Sequence, residues 1–368
     1  MKKHNTQKME RALFAMTISL TLFGLLMIAS AGAVYSETRF GSQWFFVLRQ
    51  AIAAGIGFVG LFIVRRIDYH VWQRLAVVSF IVAVGLLLLL FVPGLGVEVY
   101  GARRWLAFGP ISFQPAELMK ITLIFYLAAF FAARSRKHIR DVYEGLMPFL
   151  VAIGVVSFLL ISQPDVGTLG LILMIAVAIF FVAGARMTHI IALGIAGVMA
   201  LFALIKAAPY RMERFTTFLH PTLDPHGAGY QVMQALIAVG SGGLFGRGFG
   251  HSLQKFNYLP EPVGDSIFAV IAEEWGFIGA LGVVCMFIII GFIGYRIALR
   301  APDAFGRLVA VGITTWIVLQ AFFNIAAITA LMPLTGIPLP LISYGSTALV
   351  ITLVAIGVLL NIAQHARR

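Results

Sequence analysis

Residues 146–185 read LMPFLVAIGVVSFLLISQPDVGTLGLILMIAVAIFFVAGA, and Asp165 is their single charge. Two apolar runs, 146–163 and 167–185, flank the tetrapeptide Ser162-Gln163-Pro164-Asp165, a tight turn signal. Runs of about 18–25 apolar residues are long enough to cross a bilayer as helices. The alternating apolar and polar positions of a barrel strand are absent. Only helices and closed barrels satisfy backbone polar groups in lipid. The stretch is therefore expected to form a transmembrane helical hairpin.

The rest of the chain repeats the pattern. Hydrophobic residues make up 60% of the 368 and charged residues 11%, with a mean hydropathy of +0.96. A soluble domain is near half apolar and a quarter charged. Apolar runs occur at 12–34, 44–64, 72–92, 116–133, 146–163, 167–185, 188–205, 266–295, 307–331 and 341–362. The expected fold is all-α: a polytopic membrane protein of ten transmembrane helices forming one membrane domain over residues 1–368. Residues 206–265, between the seventh and eighth helices, form a long extracytoplasmic loop. Loops beyond about 12–15 residues tend to be functional or disordered. Apolar pieces such as Val232 to Val239 predict structure within this one. No internal repeat is evident.

The net charge of +12 is not a nucleic-acid signature, because the basic residues fall in alternate gaps between apolar runs. One set of gaps holds Lys2, Lys3, Lys8 and Arg11, then Arg65, Arg66 and Arg74, then Arg134, Arg136, Lys137 and Arg140. Arg186, then Arg296, Arg300 and Arg307, then Arg367 and Arg368 complete it. By the positive-inside rule both termini are cytoplasmic. The N-terminal charges before an apolar run, with Ala29-Ser30-Ala31 near its end, resemble a secretory signal. The run is long enough to span, so it is read as a retained first helix. Cys285, the single cysteine, permits no intramolecular disulfide and is expected as a small buried hydrophobe.

Four segments assigned to the outer side concentrate the unusual residues. The first is Gly101-Ala102-Arg103-Arg104-Trp105, followed by Phe113-Gln114-Pro115-Ala116-Glu117-Leu118-Met119-Lys120. Pro115 suits a first helical turn, and Glu117 and Lys120, three apart, share a face. They form either a packing ion pair or part of a site. The second is Gln163-Pro164-Asp165, where Asp165 is expected to cap the sixth helix. The third runs from Asp224-Pro225-His226 through the glycine-rich stretch 240–250. It either folds a compact loop or brings backbone N–H groups to a phosphate. No Walker lysine pattern occurs, so no nucleotide is expected. His220, His226 and His251 lack zinc-like spacing. The fourth is 332–346, where Pro333, Pro338 and Pro340 force irregular backbone at a membrane edge. Together these segments predict a cationic cavity in which Arg103, Arg104, Lys120, Arg247 or Lys255 would meet a phosphate or pyrophosphate.

Asp265 stands where the long loop enters the eighth helix. An acidic residue at a membrane boundary is a functional candidate, and Asp is also a favoured N-cap. Both readings stay open on the residues alone.

Taken together and in order, Gly101 to Lys120, Gln163 to Asp165, Gly229 to Gly250, Leu259 to Gly276 and Pro333 to Ser346 resemble the SEDS family (shape, elongation, division and sporulation). The FtsW, RodA and SpoVE proteins belong to it. Gln254 to Pro262 is similar to the FtsW branch. Val263-Gly264 before Asp265, Ser266 after it, and Ser343-Tyr344-Gly345-Ser346-Thr347 depart from the family pattern. The resemblance implies a peptidoglycan glycosyltransferase of the bacterial cytoplasmic membrane. It would polymerise lipid II, an undecaprenyl-diphosphate-linked disaccharide peptide, into β-1,4 glycan at the outer face. Asp265 occupies the place of the family's essential aspartate, while Arg104, Glu117 and Lys120 match further family positions.

The chemistry expected on that basis is inverting transfer with an undecaprenyl-diphosphate leaving group. Asp265 acts as general base, and Arg103, Arg104, Glu117, Lys120, Arg247, Lys255 and Ser343 contact substrate. A divalent cation, Mg or Mn, is compatible, while no organic cofactor is expected. A class B penicillin-binding protein transpeptidase is the expected partner, with divisome or elongasome regulators beside it. The competing expectation is a lipid II flippase, in which Glu273 and Glu274, deeper in the eighth helix, line a path. A scaffold that recruits a transpeptidase is a third.

Overall fold

A computed structural model describes residues 2–99, 102–109, 111–221, 227, 229–256 and 258–366. Gly101, Asp224, Pro225, His226, Asn257, Arg367 and Arg368 lie outside them. Among the described residues, ten helices are long and apolar enough to cross a membrane. They are α1 (Lys2–Phe40), α2 (Phe45–Arg66), α3 (His70–Leu89), α4 (Pro115–Ala132), α6 (Met147–Ser162, whose span starts at Val142 through a π-helical turn), α7 (Val166–Ala183), α8 (Met187–Lys206), α11 (Ile267–Arg300), α12 (Ala304–Ile328) and α13 (Ser346–His365). Three shorter helices are α5 (Arg136–Ile139), α9 (Pro209–Leu219) and α10 (Tyr230–Ser241). The ten expected spans are all present. The last begins at Ser346 rather than 341, because the proline-rich stretch keeps irregular backbone to that point.

Local chemistry sets the helix ends. Pro115 opens α4, where its missing N–H costs nothing. Asp165 caps α7 by accepting from the Thr168 amide at 3.2 Å. Gly184 closes α7 with φ of 106°, a left-handed conformation that favours glycine. Asp303 accepts from the Gly306 amide at 2.8 Å and starts α12.

The core forms around α13, which packs against α2 and also meets α1, α4, α11 and α12. Without a hydrophobic drive between helices in lipid, close approach of small residues and interhelical hydrogen bonds hold such bundles. A Cβ on Gly357 of α13 would lie 2.8 Å from the Leu61 carbonyl of α2, so glycine sets that spacing. Asn361 of α13 donates to the Arg65 carbonyl at 2.7 Å and accepts from the Tyr69 amide at 3.1 Å. Helix α8 is the opposite case, with Ile191, Ile195, Val198, Met199 and Phe202 exposed. Cys285 is exposed too, contrary to expectation. On a membrane helix an apolar side chain has no reason to prefer the interior to lipid.

Between α3 and α4 three short strands form a small antiparallel sheet, which the helical reading did not anticipate. Its strands β1 (Gly96–Val99), β2 (Ala102–Phe108) and β3 (Ile111–Phe113) are ordered β1-β2-β3. Leu106 pairs with Gly96 on one side and Phe113 on the other. Ala102 and Leu106 point inward while Arg103 and Ala107 are exposed, the period of two of a half-buried strand. Thr347 Oγ1 donates to the Ser112 carbonyl at 3.2 Å and ties β3 to the start of α13.

Helix α11 breaks at Gly276, whose φ is 66° and ψ −166°. The glycine-rich stretch meets the polar groups that the break frees. Arg247 and Gly248 amides donate to the Glu273 and Glu274 carbonyls, each at 3.0 Å. Phe277 and Ile278 amides donate to the Gly243 and Leu244 carbonyls at 2.8 and 3.2 Å. A Cβ on Gly276 would sit 2.6 Å from the Leu244 carbonyl, so bare backbones are required here. The glycines therefore serve a compact junction between loop and helix.

Candidate active site

Asp265 lies two residues before α11. The helix takes Ser266 as its N-cap and has no side-chain capping bond, so the Asp265 carboxylate is free of that task. Its backbone is held instead. Asn324 Nδ2 of α12 donates to the Asp265 carbonyl at 2.7 Å and to the Ile337 carbonyl at 2.9 Å. Ser343 Oγ donates to the Gly264 carbonyl at 2.7 Å and accepts from the Leu339 amide at 2.8 Å. The Tyr344 amide donates to the Val263 carbonyl at 2.8 Å. Gln50 of α2 closes the arrangement: its Nε2 donates to the Ser343 carbonyl at 3.0 Å and its Oε1 accepts from the Gly345 amide at 3.1 Å. The proline-rich stretch and the 259–266 turn are thus one hydrogen-bonded body. That is how irregular backbone is tolerated at membrane depth.

The carboxylate itself has one weak side-chain contact, from Gln231 Nε2 of α10 at 3.5 Å; the same amide donates to Ser266 Oγ at 3.1 Å. It keeps a partial opening to solvent. Burial, and then the Glu261 carboxylate, push Asp265 up from 3.8 to about 6, against the pull of its own amide, Arg214 of α9 and Gln231. A carboxylate that titrates near neutrality is matched to proton abstraction. Glu261 has φ of 48°, unusual for a side-chain-bearing residue, in the turn that presents Asp265.

A second group lies beneath, on α4 and α12. Glu117 and Lys120 form an ion pair at 2.7 Å, with side-chain exposures of 3% and 1%. Lys120 Nζ also donates to Gln320 Oε1 at 2.8 Å and lies 4.7 Å from the centre of the Trp316 ring. Gln320 Oε1 accepts from Trp316 Nε1 at 2.6 Å, and its Nε2 donates to the Pro338 carbonyl at 2.9 Å. Asp165 is within electrostatic reach of Lys120. Gln320 and Asn324, one turn apart on α12, therefore hold adjacent carbonyls, Pro338 and Ile337. Through them the buried cation and the Asp265 turn share one support.

The other candidates are placed elsewhere. Arg104 donates to the carbonyls of Gln163 and Pro164 and joins β2 to the turn before α7. Arg103 is exposed and pairs with Glu98 at 3.2 Å. Lys255 is buried, donating to the Gly250 carbonyl at 2.6 Å and pairing with Glu274 at 3.3 Å. Glu274 also accepts from Ser30 Oγ of α1 at 2.6 Å. Glu273 accepts from Ser252 Oγ at 2.5 Å and the Leu253 amide at 3.0 Å, with Arg247 at 3.8 Å. Arg247, Lys255, Glu273 and Glu274 thus form a cluster at the α11 break, apart from the contacts around Asp265. Among the described residues no group of three His, Cys, Asp or Glu side chains is placed to hold a metal.

Gln50, Arg214, Gln231, Gln320 and Asn324 were not singled out from sequence. Gln320 and Asn324 carried a usable signal: two amides four residues apart in an otherwise apolar run. Gln231 and Arg214 sit in ordinary amphipathic loop helices and carried none.

A helix bundle with a near-neutral carboxylate presented at one membrane boundary defines a polytopic membrane protein built for chemistry at the lipid surface. Residues 10–368 match the family described as cell cycle protein, FtsW/RodA/SpoVE, and the chain belongs to that family. It is 41% identical over 355 residues to stage V sporulation protein E of Bacillus subtilis strain 168, covering 96% of this chain and 97% of that one. It is 40% identical over 352 residues to a probable peptidoglycan glycosyltransferase FtsW of Geobacter sp. strain M18, covering 96% of each. Among solved structures, a chain of a peptidoglycan synthase complex, studied for how polymerisation and crosslinking are coordinated, superposes with a TM-score of 0.79. The identity is 29%, over 96% of this chain and 97% of that one. The rod shape determining protein RodA of Thermus thermophilus superposes with a TM-score of 0.70 at 28% identity, covering 96% and 95%.

Proposed function

We propose that this chain is a peptidoglycan glycosyltransferase that polymerises lipid II, with Asp265 as its general base. The observation that carries the assignment of Asp265 is its state: an uncapped, partly open carboxylate raised to about 6, on a turn clamped by Asn324 and Ser343. The acceptor is a sugar hydroxyl. Its proton passes to Asp265 as its oxygen attacks the anomeric carbon, and the bond to undecaprenyl diphosphate breaks. Diphosphate leaves without the protonation that a glycosidase must supply, so one carboxylate is sufficient. General base catalysis of this kind contributes about 10²–10⁴-fold. Direct attack inverts the donor's α-linkage to β.

The positive-inside pattern supports both termini in the cytoplasm, and on that reading Asp265 lies at the outer face. A divalent cation would supply charge neutralisation on the diphosphate. Mg²⁺ at such sites is held largely by the substrate's own phosphate oxygens and water, which leaves Asp265 free to act as the base. A class B transpeptidase is the partner this reading implies. The transport alternative draws no support from Glu273 and Glu274, whose carboxylates are buried and bonded to Ser252, Lys255 and Ser30.

The test is a gel assay of glycan strands made from purified lipid II by the purified protein with its transpeptidase. Asp265→Asn should fold and lose polymerisation by at least 10²-fold, in the range of a lost general base. Polymer at the wild-type rate from that variant would remove Asp265 from the chemistry. Labelled lipid crossing a vesicle with no polymer formed would favour transport.

A further inference from the structure

At the opposite end of the bundle from Asp265, a cavity of about 380 Å³ opens between the ends of α4 and α7 and the start of α12. Arg134, Arg136 and Arg307 line it together with Phe131, Val182 and Leu308, of which Phe131 and Leu308 are almost fully buried. No carboxylate lines it. The acidic side chains of the flanking segments are engaged elsewhere. Asp141 caps the turn at Tyr143 and Glu144, Glu144 faces His138 at 3.4 Å, and Asp303 caps α12 and faces His70 at 3.2 Å.

The guanidinium groups are placed for a ligand. Arg134 donates once, to the Phe130 carbonyl at 3.0 Å, and stacks on the Phe130 ring, so most of its N–H groups are unassigned. Among the described residues Arg136 and Arg307 form no ion pair. The stem of Arg136 lies along Gly184, where a Cβ would meet its Cγ at 3.3 Å and its Nε at 3.2 Å. Gly184 therefore ends α7 and also makes room for Arg136. Three arginines around a cavity without carboxylates, at the level where three membrane helices end, match the phosphate of a lipid headgroup.

We infer that this cavity binds the phosphodiester headgroup of an anionic phospholipid. Two guanidiniums hold the phosphate oxygens, and the acyl chains extend into the surrounding bilayer. The leaflet follows from the orientation proposed above and is the cytoplasmic one; the binding itself does not depend on it. Inorganic phosphate offers the same oxygens without a bilayer anchor, so the titrations below separate the two sources.

The experiment uses the full chain in detergent, titrated separately with cardiolipin, phosphatidylglycerol, phosphatidylcholine and inorganic phosphate. Thermal stability and retention in native mass spectrometry are the readouts. Wild-type protein should bind the two anionic lipids in preference to phosphatidylcholine. Each arginine near a lipid surface is worth about fivefold in affinity, so Arg136→Gln with Arg307→Gln should weaken anionic lipid binding roughly 25-fold. Both side chains are exposed, so the variant should fold. Arg136→Lys with Arg307→Lys, which keeps the charge, should recover most of the loss and separates a lost site from a damaged fold. Equal affinity of the Gln variant and the wild type would overturn the proposal. So would phosphatidylcholine binding as well as cardiolipin, or inorganic phosphate saturating the site and excluding the lipids.

Discussion

Glu261→Gln tests the electrostatics around Asp265 without touching it. Burial and the Glu261 charge raise Asp265 from 3.8 to about 6. At that value about one Asp265 in eleven is ionised at pH 5, and about ten in eleven at pH 7. The substitution removes the second cause and leaves the first, so the midpoint should fall but stay above 3.8. A fall of about one pH unit corresponds to about 1.4 kcal/mol and raises the ionised fraction at pH 5 from about 9% to about 50%. The initial rate of lipid II polymerisation at saturating substrate, followed from pH 4.5 to 8, should therefore gain roughly two- to fivefold at pH 5 and change little at pH 8. The linkage has a defined sign. A raised carboxylate destabilises the folded state progressively between pH 3.8 and about 6, and by a constant amount above that. Glu261→Gln should accordingly raise thermal stability at pH 7.5 and leave it unchanged at pH 3.5. An acid limb that stays in place, or moves to higher pH, would refute the assignment of Asp265 as the titrating base.

Asp265→Asn should lose activity while gaining stability at pH 7.5 by at most about 3 kcal/mol, less for the solvent the side chain retains; thermal unfolding of the purified variant measures it. Lys120→Met leaves Glu117 charged and buried, a change that costs about 3–5 kcal/mol, and Glu117→Gln with Lys120→Met should recover much of it in the same measurement. Gln320→Leu strands the Trp316 N–H and the Pro338 carbonyl and should cost about 1–3 kcal/mol for each. Because Pro338 adjoins the carbonyl that Asn324 holds, kcat should fall in the Gln320→Leu variant more than KM rises. Gly276→Ala forces a Cβ toward the Leu244 carbonyl and should open residues 240–256 to protease in intact membranes before the remainder of the chain is cut.

Apolar length alone made the ten helices legible, because lipid permits few alternatives for runs such as 146–163 and 167–185. Glu117 and Lys120 were placed on one face by their spacing, and Asp165 was read as a cap from its residue type. The sheet at 96–113 escaped because three short strands containing Arg103 and Arg104 carry little periodicity. Lys255 counted as an outward cation only because sequence shows charge and not depth: it is buried, whereas Arg247 stays exposed. The break at Gly276 brings Glu273 and Glu274 to face them. Asp265 itself was legible as a candidate, but capping and catalysis could be separated only once Ser266 proved to be the cap residue. Gln231 and Arg214 reach it through a loop fold that no periodicity encodes.

The junction at Gly276 sets an order of assembly. The glycine stretch is synthesised before the helix segment it completes, so the amides of Arg247 and Gly248 have only water as partners until residues 273–278 enter the membrane. Helix α11, for its part, has no replacement for the hydrogen bonds lost at its break until that stretch arrives. Closure is therefore a late event in biogenesis and joins two parts of the chain that insert separately. Because α10, which carries Gln231, runs directly into the glycine stretch, the surroundings of Asp265 are completed in the same event. A nascent chain stalled before α11 is released would carry seven of the ten spans, with Lys120 and Gln231 in place, but not the α12 amides that hold the Asp265 turn.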